Sequence, residues 1–380
     1  MKILHISTQN SYTSGWNYHE NLLTKHHRLL GHDVTLIVPN KEHNRENPNE
    51  IIDCQEGVFY DENSVKIIRR QLRYKIFLFL KIPFENIDND IEQERPDLIF
   101  VHGMVSFSIK QVAKYIKNHN SCIAFCDNHL DIENCNTKSL RTRIRLFVLK
   151  MRNKLSMKYF RICYGVTPGR AEFAIKYLGA PKYKTKLSIM GGDDSIINSI
   201  SLEDIPKKPT IFVTGGKLNK KKGIIEIMNS FSRSATNSKL LIFGTIAKDI
   251  ESDFNDIICK DPRIKFLGWK NDSDIYKLFI KSHVALFNNS HSVLWESALA
   301  CGIPIVASIK NGFNHLSKHN NSWNLNTDGN LDEAIKAFCN NEKNALEKIT
   351  NAKKYKNQYS YSTIAQHIID DYYKIKSGER

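Results

Sequence analysis

Residues 288–302 read NNSHSVLWESALACG, and they place one carboxylate, Glu296, in a run that is apolar or small from Val293 to Cys301 apart from Ser297. Such a run predicts a largely buried helix beginning near Val293, with Ser292 as its N-cap. A buried carboxylate without a partner costs several kcal/mol or stays protonated, and no Lys or Arg lies within a helical turn of Glu296. The preceding segment HVALF reads as a strand, so the first N–H groups of the helix face the strand end and suit phosphate oxygens. Glu296, one turn in, is then expected to accept from hydroxyl groups attached to that phosphate; the plain alternative is a pairing with a Lys or Arg distant in sequence.

A second stretch with anion chemistry is VTGGKLNKKKG, residues 213–223. Gly215 and Gly216 let backbone approach a ligand, Lys217 and Lys222 bring positive charge, and Gly223 precedes an amphipathic helix, which together make a diphosphate cradle. The bland reading is a solvated lysine run. The motif is not a Walker A loop, which needs Ser or Thr after Gly-Lys. In CDNHLD, His129 follows a strand with Asp127 and Asp131 beside it, though a lone His there is more often structural. Asp88, Asn89 and Asp90 mimic a DxD metal motif but fall in the acidic stretch ENIDNDIEQERPD, which reads as a surface loop.

Short β-rich runs alternate with helical patterns throughout, the pattern of parallel βαβ units. The first half offers KILHIS, DVTLIV, DLIFVH, SCIAFC, FRICYGV and KLSIM, with a helix over residues 16–30 closed by Gly31. Residues 191–209 lose periodicity and gather Gly, Pro and charge, as an interdomain linker does. A second series, TIFVTG, KLLIFG, RIKFLG, HVALF and IPIVAS, follows it. Two domains are therefore expected, residues 1–195 and 196–360, with a C-terminal helix over 361–380 that packs back toward the first. Two open α/β sheets in tandem leave a cleft, and ligands of such sheets sit beyond the carboxyl ends of the strands.

A net charge of +15 calls for an acidic partner. Residues 138–161 contain nine Lys and Arg and no acid, while Leu140, Ile144, Phe147, Val148, Met151 and Leu155 recur at helical spacing. The plain expectation is a solvated basic face over a core stripe; the alternative is a helix resting on anionic lipid. Residues 65–84 repeat the theme. A nucleic-acid binder would interleave aromatic and basic residues on a stacking platform, and here the basic face alternates with aliphatic positions instead. The eight cysteines are scattered, without a CxxC pair or a zinc spacing, as in a reduced cytosolic protein. No run is long and apolar enough to span a bilayer.

GGKLNKKKG, then FLGW, then HVALFNNSHSVLWESALACGIPIVAS, in that order and spacing, resemble the donor half of the retaining glycosyltransferases of family 4, of the bacterial surface polysaccharide type. The TSGWNYHENLL loop and CDNHLD of the first half resemble the family as well. The resemblance implies a GT-B fold, two Rossmann-like domains facing each other across a cleft. It implies transfer of a hexosyl group from a nucleotide-diphosphate sugar to a saccharide or polyprenyl-linked acceptor, without a metal cofactor, while the basic helix over 138–161 suggests an acceptor held at the inner face of the cell membrane. It places the family's basic pair on Lys217 and Lys222, its second glutamate on Glu296 against ribose hydroxyls, and its sugar-facing histidine on His129. Asn288 stands where the first glutamate would be, His291 and the backbone of Ser292 and Val293 lie nearest diphosphate and sugar, and Gly15 allows close approach at the first helix. A GT-B nucleotide-sugar epimerase is the alternative sharing this donor site.

Overall fold

The structure is a computed structural model that describes the 380-residue chain except residues 9–10, 45–49, 72, 78–79, 85–86, 202–207 and 379–380, and the side chains of residues 73–77 and 80–84. It divides into two units: Met1–Ile189 with Ala365–Arg380, and Met190–Ile364.

The first unit is built on an eight-stranded sheet: β1 (Lys2–Ile6), β2 (Asp33–Pro39), β3 (Gly57–Tyr60), β4 (Lys66–Arg70), β5 (Leu98–Val101), β6 (Ile123–Asn128), β7 (Ile162–Gly165) and β8 (Thr185–Leu187), in the order β8-β7-β6-β5-β1-β2-β4-β3. All neighbours are parallel except β3 and β4. Ile3, Leu4 and Ile6 in β1 and Leu36, Ile37 and Val38 in β2 are all buried, because helices cover both faces of a parallel sheet and leave no polar side. Those helices include α1 (His19–Leu29), α2 (Asp88–Glu94), α3 (Ser108–Asn118) and α4 (Leu140–Ser156). Helix α1 starts three residues later than the sequence pattern suggested, and Gly31 closes its C-terminal end at φ 85°.

The second unit carries a six-stranded, all-parallel sheet: β9 (Thr210–Leu218), β10 (Ser238–Ile246), β11 (Ile264–Phe266), β12 (Val284–Leu286), β13 (Ile305–Ala307) and β14 (Ser322–Asn324), in the order β11-β10-β9-β12-β13-β14. Helix α5 (Ile224–Ser234) buries Ile224, Ile227, Met228 and Phe231 against it, and α6 (Leu294–Ala300) follows β12. The last helix, α7 (Tyr361–Ser377), closes the chain, and within the first unit its Asp371 accepts from Tyr164 Oη at 2.7 Å and Lys186 Nζ at 2.6 Å.

Three expectations are corrected here. The start of the stretch read as a linker is packed into the second unit: a Cβ on Gly191 would lie 2.1 Å from the Tyr359 carbonyl oxygen, and one on Gly192 2.8 Å from Ala300 Cβ. Those glycines serve close approach, not flexibility, while residues 202–207 lie outside the described residues. Asp88, Asn89 and Asp90 form the first turn of α2 rather than a loop, with Asp88 held by Lys114 at 2.9 Å and Asp90, buried, held by Arg70 Nε at 2.9 Å. Their charges are thus neutralised by protein cations. Finally, Leu140, Ile144, Phe147, Met151 and Leu155 of α4 do not enter the core but are exposed. Of the second basic stretch, residues 72 and 78–79 lie outside the described residues; Lys66–Arg70 is β4 of the main sheet, and Arg73–Phe77 pairs antiparallel with Leu80–Phe84.

Candidate functional site

In the second unit β9 and β10 run in register over nine pairs, Thr210↔Ser238 to Leu218↔Ile246, which brings Gly216 opposite Gly244. A Cβ on Gly244, at φ 126°, would stand 1.9 Å from the Gly216 carbonyl oxygen, so the two strand ends approach as no larger residue permits. Beyond them, Asn219 caps a short turn by accepting from Lys222 N, and Gly223, at φ 63°, turns the chain into α5. A Cβ there would lie 2.6 Å from Asn288 Nδ2, so the glycine lets the two loops close on one another.

Lys222 ties those loops together. Its ammonium donates to the carbonyl oxygens of Ser290 and His291, each at 3.0 Å. Gly215, Lys222, Asn288, Ser290 and Ser292 line one depression floored by Thr214, Phe287 and Trp295. Asn288 Oδ1 accepts from Ser308 Oγ at 3.2 Å and from Asn289 N at 2.9 Å. Lys217 lies exposed near the end of β9, and Gly216, His291, Val293 and Glu296 are not among the residues lining the depression.

Glu296 has protein partners. His291 Nε2 lies 2.9 and 3.0 Å from its two oxygens, and His315 Nε2 lies 3.2 Å from Oε1. Burial alone would raise the carboxyl pKa, but the charge and hydrogen bonds of His291, then those of His315, outweigh it and bring it down to about 2. The expectation of a carboxylate paired with ligand hydroxyls rather than a protein cation is therefore corrected: His291, five residues on the amino side, and His315, nineteen residues on, hold it. His291 in turn faces inward, stacked on Phe313 with ring centroids 4.4 Å apart. Its carbonyl, not its ring, meets Lys222. The cap is also displaced: Val293 occupies the N-cap, α6 starts at Leu294, and Ser292 contributes its carbonyl to Trp295 N at 3.0 Å and a long 3.5 Å contact from its Oγ to Leu294 N.

The first unit concentrates its titratable groups at the carboxyl ends of β1, β5 and β6. Asp127, fully buried, receives the Gly103 N–H on Oδ1 at 2.7 Å, and its Oδ2 faces His102 Nδ1 at 3.2 Å, His19 Nε2 at 3.3 Å and His129 Nε2 at 3.3 Å. Burial opposes the charge, yet His129 and then the other rings hold the Asp127 pKa well below the usual carboxylate range. Burial likewise works against a charge on His129, but Asp127 raises its pKa, so the pair favours carboxylate and imidazolium. His129 is the member that reaches solvent, with a 37% exposed side chain. If His102 donates from Nδ1 to Asp127, its Nε2 accepts from His5 Nδ1 at 3.0 Å, and His5 Nε2 then accepts from His27 Nδ1 at 2.9 Å. Burial keeps His5 neutral and lowers His27 to about 3.

Asp131, expected beside His129, instead accepts from Arg170 Nε at 3.0 Å and braces its own loop through the N–H groups of Glu133 and Asn134. Gly15 sits in an exposed turn at φ 78°, four residues before α1, so it is not at the helix N-terminus. Sequence reading missed His19, His102, Ser290 and His315. A histidine closing the strand-like run DLIFVH was the available signal for His102. Among the described residues, His19, His102 and Asp127 offer donor atoms within 4.8 Å of one another, close enough for a metal ion, but in this structure they are occupied with hydrogen bonds. Replacing Asp127 by Ala leaves three imidazoles facing an empty space and is expected to cost roughly 3–5 kcal/mol. The thermal midpoint measures this, and an unchanged midpoint would remove Asp127 as the hub of the cluster.

Residues 198–355 match the family model of the glycosyl transferases group 1. That span contains the whole β9 loop, the 288–296 loop and α6. No curated protein matches the sequence. Among solved structures, HepE from Anabaena in complex with UDP is 16% identical over 98% of this chain and 99% of its own, with a TM-score of 0.68. A sucrose-phosphate synthase from Thermosynechococcus elongatus is 14% identical over 99% of both chains at TM-score 0.64. A putative UDP-N-acetylglucosamine 2-epimerase from Listeria monocytogenes is 12% identical over 99% and 96%, at TM-score 0.59. At such identities the likeness establishes architecture: two Rossmann-like domains, the GT-B fold. Among the described residues no helix is long and apolar enough to cross a membrane.

Proposed function

We propose that the chain is a retaining glycosyltransferase of family 4 type. It moves a hexosyl group from a nucleotide-diphosphate sugar to a saccharide or polyprenyl-linked acceptor in surface glycan assembly, on the cytoplasmic side of the cell membrane. The observation that carries the reading is the depression in the second unit, where Gly215, Lys222, Asn288, Ser290 and Ser292 converge inside the span that matches the group 1 model.

In this reading the donor diphosphate lies over the glycine-rich end of β9, with Lys217 and Lys222 neutralising the charge that grows on the leaving group, so no metal is required. Gly216 and the backbone at Ser292 and Val293 give the phosphate close access, and Asn288 contacts the sugar in place of an acid. Glu296 supports this site as the post that fixes His291, whose carbonyl orients Lys222, rather than as a direct ribose ligand. On the first unit, Gly15 leaves room for donor or acceptor, and His129, whose pKa Asp127 raises against the effect of burial, stabilises charge on the transferred sugar. The donor phosphate takes the acceptor's proton, and no protein nucleophile is assigned.

The test is a panel of nucleotide sugars, UDP-sugars first, incubated with and without lipid extract while free nucleoside diphosphate is measured. Acceptor-dependent release supports transfer. An altered sugar nucleotide formed without acceptor would identify an epimerase, and no turnover with any donor would sink both readings. The matching nucleoside diphosphate at a hundredfold excess over its dissociation constant should stabilise the protein by about 2.7 kcal/mol, visible as a raised melting temperature.

A further inference from the structure

We propose that α4 is a membrane-docking helix whose outward stripe inserts into the interface of an anionic bilayer. The proposal deepens the reading of a lipid-linked acceptor and rests on it for its purpose. Leu140, Ile144, Phe147, Met151 and Leu155 are 70, 49, 65, 49 and 76% exposed. Spaced by four, three, four and four residues, they fall within an arc of about 80° at 3.6 residues per turn. Lone exposed apolar residues are ordinary; five aligned along a 17-residue helix are not.

The helix is fastened by its other side, so the stripe is not a displaced core face. Leu146, Asn153 and Ser156 are buried, and Asn153 Nδ2 donates to the carbonyls of Met104 at 3.1 Å and Leu178 at 3.0 Å. Exposed Arg141, Arg143, Arg145 and Lys154 rim the stripe, and no acid occurs over residues 138–161. Just past the carboxyl end Lys184 bonds the carbonyls of Met157, Lys158 and Phe160, and the neighbouring Tyr183 is 86% exposed, an aromatic available to the interface.

The chemistry selects the occupant. A second copy of the chain would set cation against cation around the seam. Nucleic acid would use the rim and leave the aliphatic stripe wet. Anionic lipid uses both, headgroups meeting the guanidinium and ammonium groups while the side chains enter the acyl boundary.

The experiment is co-sedimentation of the full chain with vesicles of phosphatidylcholine alone or mixed in equal parts with phosphatidylglycerol, without donor or acceptor. The mixed vesicles should bind the protein, and added salt should weaken binding without abolishing it. Phe147→Ser with Leu155→Ser should lower partition roughly a hundredfold, about tenfold per side chain withdrawn from the interface; both positions are exposed, and an unchanged circular dichroism spectrum verifies the fold. Arg143→Glu with Lys154→Glu should erase the preference for anionic lipid. Equal partition of parent and apolar variant, indifference to phosphatidylglycerol, or a solution dimer dissolved by the same substitutions would overturn the proposal. The readout involves no turnover, so an inactive protein that still docks leaves docking standing and removes the transferase reading alone.

Discussion

Replacing Lys222 by Ala should lower turnover by a factor of about 10²–10³, the loss of roughly 3 kcal/mol expected when one preorganised donor to a developing anion is removed. The ammonium is placed by geometry that leaves little freedom: Gly223 turns the backbone, Asn219 caps the preceding turn, and the carbonyls of Ser290 and His291 hold the nitrogen at 3.0 Å each. The substitution therefore removes a charge and loosens the 288–292 loop together. Lys222→Arg separates the two effects, since it keeps the charge while its planar fork cannot reproduce the same pair of carbonyl contacts. An effect on turnover confined to the saturating rate, with nucleotide affinity retained, is the result expected for leaving-group stabilisation. Turnover of the Ala variant near that of the parent would eliminate Lys222 from the chemistry.

Replacing Glu296 by Gln should destabilise the protein at neutral pH, and the loss should fade in acid. A carboxyl held at about 2 in the fold against an ordinary 4.5 carries roughly 3 kcal/mol. The sign follows from the lowered pKa: the contribution is complete above 4.5 and is lost as the pH falls from there toward 2, because the unfolded chain takes up the proton first. Denaturant titrations of parent and variant at pH 7 and at successive points below pH 5 should show the two stabilities converging. A gap that stays constant across that window would mean that the histidines do not hold the charge. Glu296→Ala should cost more at pH 7, since it adds a void at a fully buried position and leaves His291 and His315 without their acceptor.

Much of this architecture is legible in the residues alone. Eleven strand-like runs correspond to strands of the two sheets, because a parallel strand covered on both faces must be apolar at nearly every position, and DLIFV or HVALF admits few other readings. The β9 loop left two readings open, because glycines and lysines between a strand and an amphipathic helix suit a diphosphate cradle and a solvated lysine run alike. Ser322–Asn324 and the pair Lys41–His43 with Ile51–Asp53 carry three residues per strand and no periodicity long enough to register.

The sequence by itself determined the alternation of strand and helix, the two-domain organisation and the presence of a buried acid in α6. Only the tertiary structure decided who holds that acid, because His315 is nineteen residues away and no local spacing announces it. It likewise gathered His19, His102 and His129 from three separate segments onto one oxygen of Asp127. For α4, periodicity revealed an apolar stripe but not its direction: an amphipathic helix has the same pattern whether the apolar side meets a core or a membrane. The choice was made by Asn153, whose bonds to Met104 and Leu178 turn the other face inward and leave the stripe outside.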